Sequence, residues 1–153
     1  MPTRLTSVAE IESYVGKPVG ASEWKELPFE QIVAFADATG DHQWIHVDKE
    51  RAAAGPFGAP IAHGYLTLSF VAGLFTEVVQ LDGFPMIVNY GCNKVRFPNP
   101  MKAGSRYRLA MQMMSTRPVG DDWQEIVFGA AVEIEGEEKP AVFAEVIFRV
   151  AVA

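Results

Sequence analysis

Alternation of apolar and polar residues marks four extended segments in the C-terminal half of the chain. In the last of them, every second residue from Val142 to Val150 is apolar, and Glu145 and Arg149 lie between these positions. A period of two is typical of a strand with one buried face. Turn-forming residues such as Gly, Pro, Asn and Asp separate the segments. The predicted strands are 86–97, 106–116, 123–134 and 142–150.

Helical spacing dominates the first third of the chain. Apolar residues recur every three or four positions from Phe29 to Ala36. Pro28 suits a first helical turn, and Gly40 suits the left-handed residue that closes a helix. Shorter predicted elements are a helix from Thr6 or Ser7 to about Tyr14, a strand from Gly20 to Leu27, and a helix capped by Asp48 and closed by Gly55.

The segment between Ala52 and Thr76 contains no Asp, Glu, Lys or Arg. Glycine and proline interrupt its first third, so the expected helix runs from about His63 to Gln80. Its uncharged part is shorter than the roughly 20 residues that a bilayer span needs, which favours a buried helix over a membrane helix. One early strand and four later ones then predict an α+β fold, with a five-stranded antiparallel sheet around this helix.

Length and composition indicate one globular domain, residues 1–153. The single cysteine, Cys92, has no partner for a disulfide. The N-terminus lacks the apolar core of a signal peptide, so a cytoplasmic location is expected.

Charge is unevenly distributed along the chain, whose formal net charge is −6. Between Gly83 and Gly120 there are basic residues but no acidic ones; the basic residues are Lys94, Arg96, Lys102, Arg106, Arg108 and Arg117. This basic segment is either a solvated strand face or a local site for an anionic ligand. A nucleic-acid partner is not expected, because the chain as a whole is acidic.

Candidate chemistry is concentrated around the start of the buried helix. Asp41 and His46 lie five residues apart, directly after the predicted helix end at Gly40. Gly64 follows near the N-terminus of the buried helix, where backbone N–H groups lack intrahelical partners. An acid/base pair followed by an anion-binding helix end predicts a small active site.

These residues carry a resemblance to a known family. Gly-Asp-His-Gln-Trp-Ile-His-Val-Asp (40–48) followed by Ile-Ala-His-Gly (61–64) resembles the hydratase motif of MaoC-like (R)-specific enoyl-CoA hydratases. Lys-Val-Arg-Phe (94–97) and Pro-Met-Lys-Ala-Gly-Ser (100–105) are similar to the strand and turn that follow the helix in that family. Gln-Trp-Ile-His is most similar to the nodulation protein N-like subgroup.

The resemblance implies a hot-dog fold, in which an antiparallel sheet wraps a long helix, usually in a homodimer. It also implies an acyl-CoA substrate, no nucleic acid or membrane partner, and no cofactor besides the coenzyme A of the substrate. Family members commonly have Asn-Pro where this chain has Gln43 and Trp44, and some carry a serine near Ala72.

The implied reaction is the reversible hydration of trans-2-enoyl-CoA to (R)-3-hydroxyacyl-CoA. We assign His46 as the base that activates water and Asp41 as the acid. The N–H of Gly64 is assigned to the enolate oxygen. Lys94, Arg96 and Arg106 are candidates for binding the phosphates of coenzyme A. No metal is expected, because no clustered carboxylates complete a ligand set with the histidines.

Two other functions fit the same architecture. Glu77 is the candidate carboxylate of an acyl-CoA thioesterase, although a solvated helix end is the preferred interpretation of this residue. A non-catalytic acyl-CoA-binding module is the third possibility, for which an intact Asp41/His46 pair is unnecessary. Four further polar residues near the motif are expected to have structural roles: Asp37 and Asp48 in turns and caps, His42 at the surface, and His63 in a contact with nearby backbone.

Overall fold

The structure is a computed structural model that describes residues 1–152. Its strands are β1 (Thr3–Leu5), β2 (Pro18–Ala21), β3 (Lys25–Glu26), β4 (Val79–Leu81), β5 (Ile87–Arg96), β6 (Arg106–Val119), β7 (Trp123–Ile134) and β8 (Val142–Ala151). Its helices are α1 (Val8–Ser13), α2 (Phe29–Thr39), α3 (Trp44–Val47), α4 (Lys49–Ala53) and α5 (Gly64–Val78). The predicted α+β class and the four long strands are confirmed.

One antiparallel sheet forms most of the protein, with its strands in the order β2-β6-β7-β8-β5. The predicted first strand, Gly20 to Leu27, is wrong as a continuous strand, because β2 and β3 pair separately with β6. The break lies at Ser22, whose hydroxyl accepts the Leu109 N–H at 2.9 Å. A side-chain oxygen there replaces the backbone acceptor that a regular ladder would use, so the strand divides in two.

Helix α5 packs its apolar side against the concave face of the sheet. Phe75 contacts the rings of Phe128 and Phe148 at centroid distances of 5.5 and 4.5 Å. Phe70 stacks on Tyr107 at 4.3 Å. This arrangement of a long helix inside a curled antiparallel sheet is the hot-dog fold. No helix among residues 1–152 has the length and apolarity needed to cross a membrane.

The sheet does not enclose α5 on every side. A row of exposed residues, which we call the α5 stripe, follows the helix: Tyr65, Ser69, Ala72, Gly73 and Thr76. Strand β5 beside it is the edge of the sheet, and nearly all its residues are exposed. A cavity lined by residues of both elements, including Ala72 and Cys92, shows that stripe and edge are adjacent.

Short capping signals locate the smaller helices. Ser7 accepts the Glu10 N–H at the start of α1, as predicted. Asp48 caps α4 by accepting the Arg51 N–H at 3.0 Å, which confirms its predicted capping role. The parallel pair β1–β4 was not anticipated, because strands of three residues are too short to display a period.

Candidate active site

Asp41 is placed by the end of α2. Gly40 adopts φ 85° and donates its N–H to the Ala36 carbonyl, so the chain turns sharply after the helix. A left-handed residue of this kind favours glycine. Asp41 is exposed, and its Oδ1 accepts the Gln43 N–H at 3.3 Å. The short loop therefore has a defined path into α3.

His46 lies on α3 and is only 7% exposed. Its Nδ1 lies 2.7 Å from the Ile61 carbonyl oxygen. A carbonyl can only accept, so Nδ1 carries the proton of the neutral ring and Nε2 is left with a lone pair. A histidine in this tautomer has the form that a general base requires.

The environment of His46 keeps its ring neutral. Burial is the largest influence and lowers the pKa of His46 below its ordinary value. The hydrogen bond to Ile61 opposes this, neighbouring His63 lowers the pKa further, and Asp41 raises it. The net direction is downward, so His46 is available as a proton acceptor at neutral pH.

His63 brings the loop of Asp41 and the ring of His46 together. Its Nε2 lies 2.9 Å from the Asp41 backbone oxygen, which confirms the predicted contact with backbone. Its ring stacks on that of His46 with centroids 3.9 Å apart and an interplanar angle of 21°. One polar side-chain atom from each of Asp41, His46 and His63 lies within 4.8 Å of the others.

Proximity alone makes this trio a possible metal site, which sequence spacing did not anticipate. However, a metal bonds to an imidazole nitrogen at about 2.0–2.1 Å, close to the ring plane. The two rings are nearly parallel, so one ion cannot lie in both planes at bonding distance. One nitrogen of each ring is also committed to a carbonyl oxygen. The geometry favours proton transfer over metal binding.

Gly64 is the first residue of α5, so its N–H has no carbonyl partner within the helix. A cavity of about 390 Å³ is lined by both Gly64 and His46, together with apolar residues that include Phe57 and Phe97. A Cβ at Gly64 would lie 3.0 Å from carbon atoms of the Phe97 ring. A side chain at this position would therefore require the Phe97 ring to shift by a few tenths of an ångström, whereas the backbone conformation is open to other residues.

The matches to known proteins agree with this fold and motif. The family model described as a MaoC like domain matches residues 10–135. The chain belongs to the MaoC-like dehydratase family. It is 46% identical to 3-hydroxyacyl-thioester dehydratase Z of Mycobacterium tuberculosis over 143 residues, which cover 94% of this chain and 95% of that protein.

Two further comparisons agree with this family assignment. It is 41% identical over 140 residues to nodulation protein N of Rhizobium leguminosarum, covering 90% of this chain and 87% of that protein. Among solved structures, the (R)-hydratase of A. caviae involved in PHA biosynthesis superposes with a TM-score of 0.66 and 25% identity. That match covers 85% of this chain and 94% of the A. caviae chain.

The structure separates the three candidates for phosphate binding. Lys94 and Arg96 lie on β5, whereas Arg106 begins β6, and strands β7 and β8 lie between them. Arg106 makes two contacts of 2.9 Å with Glu135, and Lys94 lies 3.7 Å from Glu145. Within residues 1–152, Arg96 has no ion pair; its guanidinium donates to the Val95 carbonyl.

The other polar residues of the motif make local contacts. His42 is exposed, as predicted, and its Nε2 lies 2.8 Å from an oxygen of Asp37. Glu77 forms a half-exposed ion pair with Lys25 at 2.9 Å. Sequence analysis missed the Ile61 carbonyl and the Phe97 ring as parts of the site. Phe97 lies in the quoted Lys-Val-Arg-Phe segment, but a backbone carbonyl leaves no signal in sequence.

Proposed function

We propose that this MaoC-like chain catalyses the reversible hydration of trans-2-enoyl-CoA to (R)-3-hydroxyacyl-CoA. The observation that carries the proposal is the cavity lined by both His46 and Gly64. It places a histidine with an unprotonated Nε2 beside a helix N-terminus with an unpaired N–H. Hydration of an enoyl thioester requires both groups: a base for water and a donor for the enolate oxygen.

Each group has one role in the proposed reaction. His46 Nε2 accepts a proton from water as the water oxygen bonds to C3 of the substrate. The electron pair of the double bond moves towards the thioester oxygen, where the Gly64 N–H stabilises the negative charge. Asp41 delivers a proton to C2. Asp41, which begins the cycle protonated, is then a carboxylate, and the proton on His46 returns to it. One polar atom of each residue lies within 4.8 Å of the other, a separation that one bridging water can span.

The names of relatives support the type of substrate. The M. tuberculosis relative is named for a 3-hydroxyacyl thioester, and the A. caviae protein is named an (R)-hydratase. The proposed chemistry requires no cofactor besides the coenzyme A that the substrate carries. Acyl carrier protein is the other possible carrier, and the assay below distinguishes the two if both thioesters are offered.

We also propose that the chain acts as a homodimer. The α5 stripe and the adjoining edge of β5 leave apolar surface open, including Tyr65 at 72% and Tyr90 at 59% exposure. Strand β5 pairs with β8 on one side only, and the open edge of a ten-residue strand readily pairs with another strand. A second copy that pairs along β5 would cover both the edge and the stripe.

The thioesterase alternative is weaker. Glu77 lies thirteen residues after Gly64 on one helix, which corresponds to about 20 Å along the axis. Its carboxylate is also paired with Lys25. A purely binding module, the third possibility, has no need for a tautomer-fixed histidine at the cavity.

One assay tests the proposal against both alternatives. Crotonyl-CoA is incubated with the protein while enone absorbance and free thiol are followed together. Loss of absorbance without thiol release is expected for the hydratase. Thiol release would instead identify a thioesterase, and binding without either change would identify a non-catalytic module. Repeating the assay over a series of acyl lengths, on coenzyme A and on acyl carrier protein, defines the substrate.

A further inference from the structure

His63 contacts the Asp41 backbone and the His46 ring and directly precedes Gly64, although it was expected to be structural. Its Nε2 holds the Asp41 backbone oxygen at 2.9 Å, and its ring stacks on His46 at 3.9 Å. It is also the N-cap residue of α5, directly before Gly64. On its other side the ring packs against Phe35 of α2, with centroids 4.8 Å apart. The side chain is 2% exposed.

We infer that His63 is a positioning residue that fixes the Asp41 backbone through its Nε2–H and the His46 ring through stacking. The consequence for turnover rests on the proposed function. Precise placement matters because a displacement of about 1 Å in an active site can cost roughly 10²-fold in rate. Within residues 1–152, no other side-chain hydrogen bond joins the loop after α2 to the start of α5.

The tautomer of His63 follows from its contacts. Its Nε2 donates to a carbonyl, so Nδ1 of the neutral ring has a lone pair, and Nδ1 is buried without a hydrogen-bond partner. A proton on Nδ1 would create a buried N–H without an acceptor, which is costly. It would also place a positive charge against the ring of His46. The Nε2–H tautomer therefore satisfies the Asp41 carbonyl and leaves no buried N–H of His63 without an acceptor.

The titratable groups near His46 define the expected pH dependence. Asp41, from the loop after α2, raises the pKa of His46, and His63, from the start of α5, lowers it. Asp37 and His42 are paired with each other on the exposed side of the loop. Ile61, which accepts the His46 Nδ1–H, and Phe35 of α2, which packs on His63, are uncharged. Burial is the largest cause of the lowered His46 pKa, and the stacked His63 ring contributes to that burial. Loss of the ring should therefore raise the pKa of His46, and the acid limb of kcat/KM should move to higher pH.

Two substitutions separate the two contacts of His63. In His63→Gln, the amide nitrogen can still donate to the Asp41 carbonyl, but the ring that stacks on His46 is lost. In His63→Phe, a ring remains and the donor is lost. His42→Gln is the matched control, because it replaces an exposed histidine of the same motif that touches neither His46 nor Gly64.

Turnover is measured with crotonyl-CoA on variants shown to be folded by circular dichroism. We expect His63→Phe and His63→Gln each to lower kcat by roughly 10- to 100-fold. Added to Asp41→Asn, His63→Phe should cause little further loss, because it acts through Asp41. His42→Gln should retain the wild-type kcat.

A substrate-free measurement keeps the inference separate from the proposed reaction. The protein has three histidines, so ring signals in NMR can be assigned with the His42 and His46 variants. We expect the wild-type His63 to hold its proton on Nε2. The titration midpoint of His46 should rise in His63→Gln, where the ring that covers it is lost, and should rise less in His63→Phe. The wild-type tautomer is informative even if a variant fails to fold.

The inference is overturned if wild-type His63 carries its proton on Nδ1. It is equally overturned if folded His63 variants keep the wild-type kcat and the His46 midpoint while Asp41→Asn and His46→Ala are inactive. If Asp41→Asn and His46→Ala are themselves fully active, the proposed function fails instead, and the NMR result for His63 stands alone.

Discussion

At the scale of single residues, the proposed site depends on which N–H groups already have a hydrogen-bond acceptor and which do not. The Ile61 carbonyl takes the Nδ1–H of His46, so Nε2 is the nitrogen available to water. Gly64 has an N–H without an intrahelical acceptor because it is the first residue of α5. These two features support the proposal that the common Asp-x4-His spacing forms an acid/base pair in this fold.

Loss of either member of the pair should reduce turnover strongly without unfolding the protein. We expect Asp41→Asn and His46→Ala each to lower kcat by roughly 10²–10⁴-fold, the usual contribution of a general acid or base. The double variant should be little worse than the worse single variant, because both groups serve one water. Kinetics with crotonyl-CoA check this, and full activity in either single variant would exclude the assignment.

A proline at Gly64 tests the backbone donor directly. Gly64→Pro removes the N–H at a first-turn position that tolerates proline. The preceding residue, His63, already has ψ 140°, as a residue before proline requires. We expect kcat to fall by about 10²–10³-fold relative to Gly64→Ala, which is the loss typical of one oxyanion donor.

Gly64→Ala is a matched control because its Cβ meets the Phe97 ring at 3.0 Å in the same way as that of proline. Both variants therefore share the steric cost of the contact between Cβ and Phe97, and this contact was not visible in the sequence. Equal kcat values in folded alanine and proline variants would place the oxyanion site elsewhere.

At the scale of elements, α5 and β5 together form an exposed surface. The α5 stripe follows the side of the helix that the sheet leaves open, and β5 presents a free edge beside it. Neighbouring exposed apolar side chains, such as Tyr65, Val88 and Tyr90 here, are typical of an interface with another chain. The same elements support the site, since α5 begins at Gly64 and β5 leads into Phe97.

A charge placed in the α5 stripe should therefore separate the proposed dimer. In Ala72→Glu, an unpaired carboxylate would be buried at the interface, at a cost of about 3–5 kcal/mol. Ala9→Glu is the matched control, because Ala9 is exposed on α1, away from β5. Sedimentation should give twice the 16.8 kDa chain mass for the wild type and Ala9→Glu, and a lower mass for Ala72→Glu. A monomeric wild type would contradict the proposed dimer.

At the scale of the whole molecule, the basic segment is largely neutralised by the strands that the fold places beside it. Arg108 pairs with Glu133 at 2.6 Å and Arg117 with Glu125 at 3.0 Å, both across β6 and β7. Antiparallel pairing thus offsets an excess of charge that appears large in the sequence. Arg96 remains without a carboxylate partner in the described part of the chain, next to the Phe97 wall of the cavity.

Charge reversal should therefore affect substrate binding most at Arg96. We expect Arg96→Glu to raise KM more than it lowers kcat, because a phosphate contact is remote from the reacting carbons. Arg106→Glu, at a residue already paired with Glu135, should change KM less. KM measured over a range of salt concentrations checks both; equal, salt-independent KM values would mean that Arg96 is a solvated surface residue.

The sequence by itself determined the elements whose signals are local. A period of two over 142–150 and helical spacing after Pro28 each reflect one buried face, and capping at Ser7 and Asp48 is a contact within three residues. The motif around Asp41, His46 and Gly64 was readable because its residue types and spacings are unusual in combination.

Only the tertiary structure decided what those residues contact. The carbonyl that orients His46 is fifteen residues away, and the His63 ring reaches an oxygen twenty-two residues back. The Ser22 hydroxyl that divides the first strand bonds to Leu109, and the cations of β6 meet carboxylates of β7. Such contacts depend on how the strands pair in the sheet and how α5 docks against it, and neither leaves a period in the sequence.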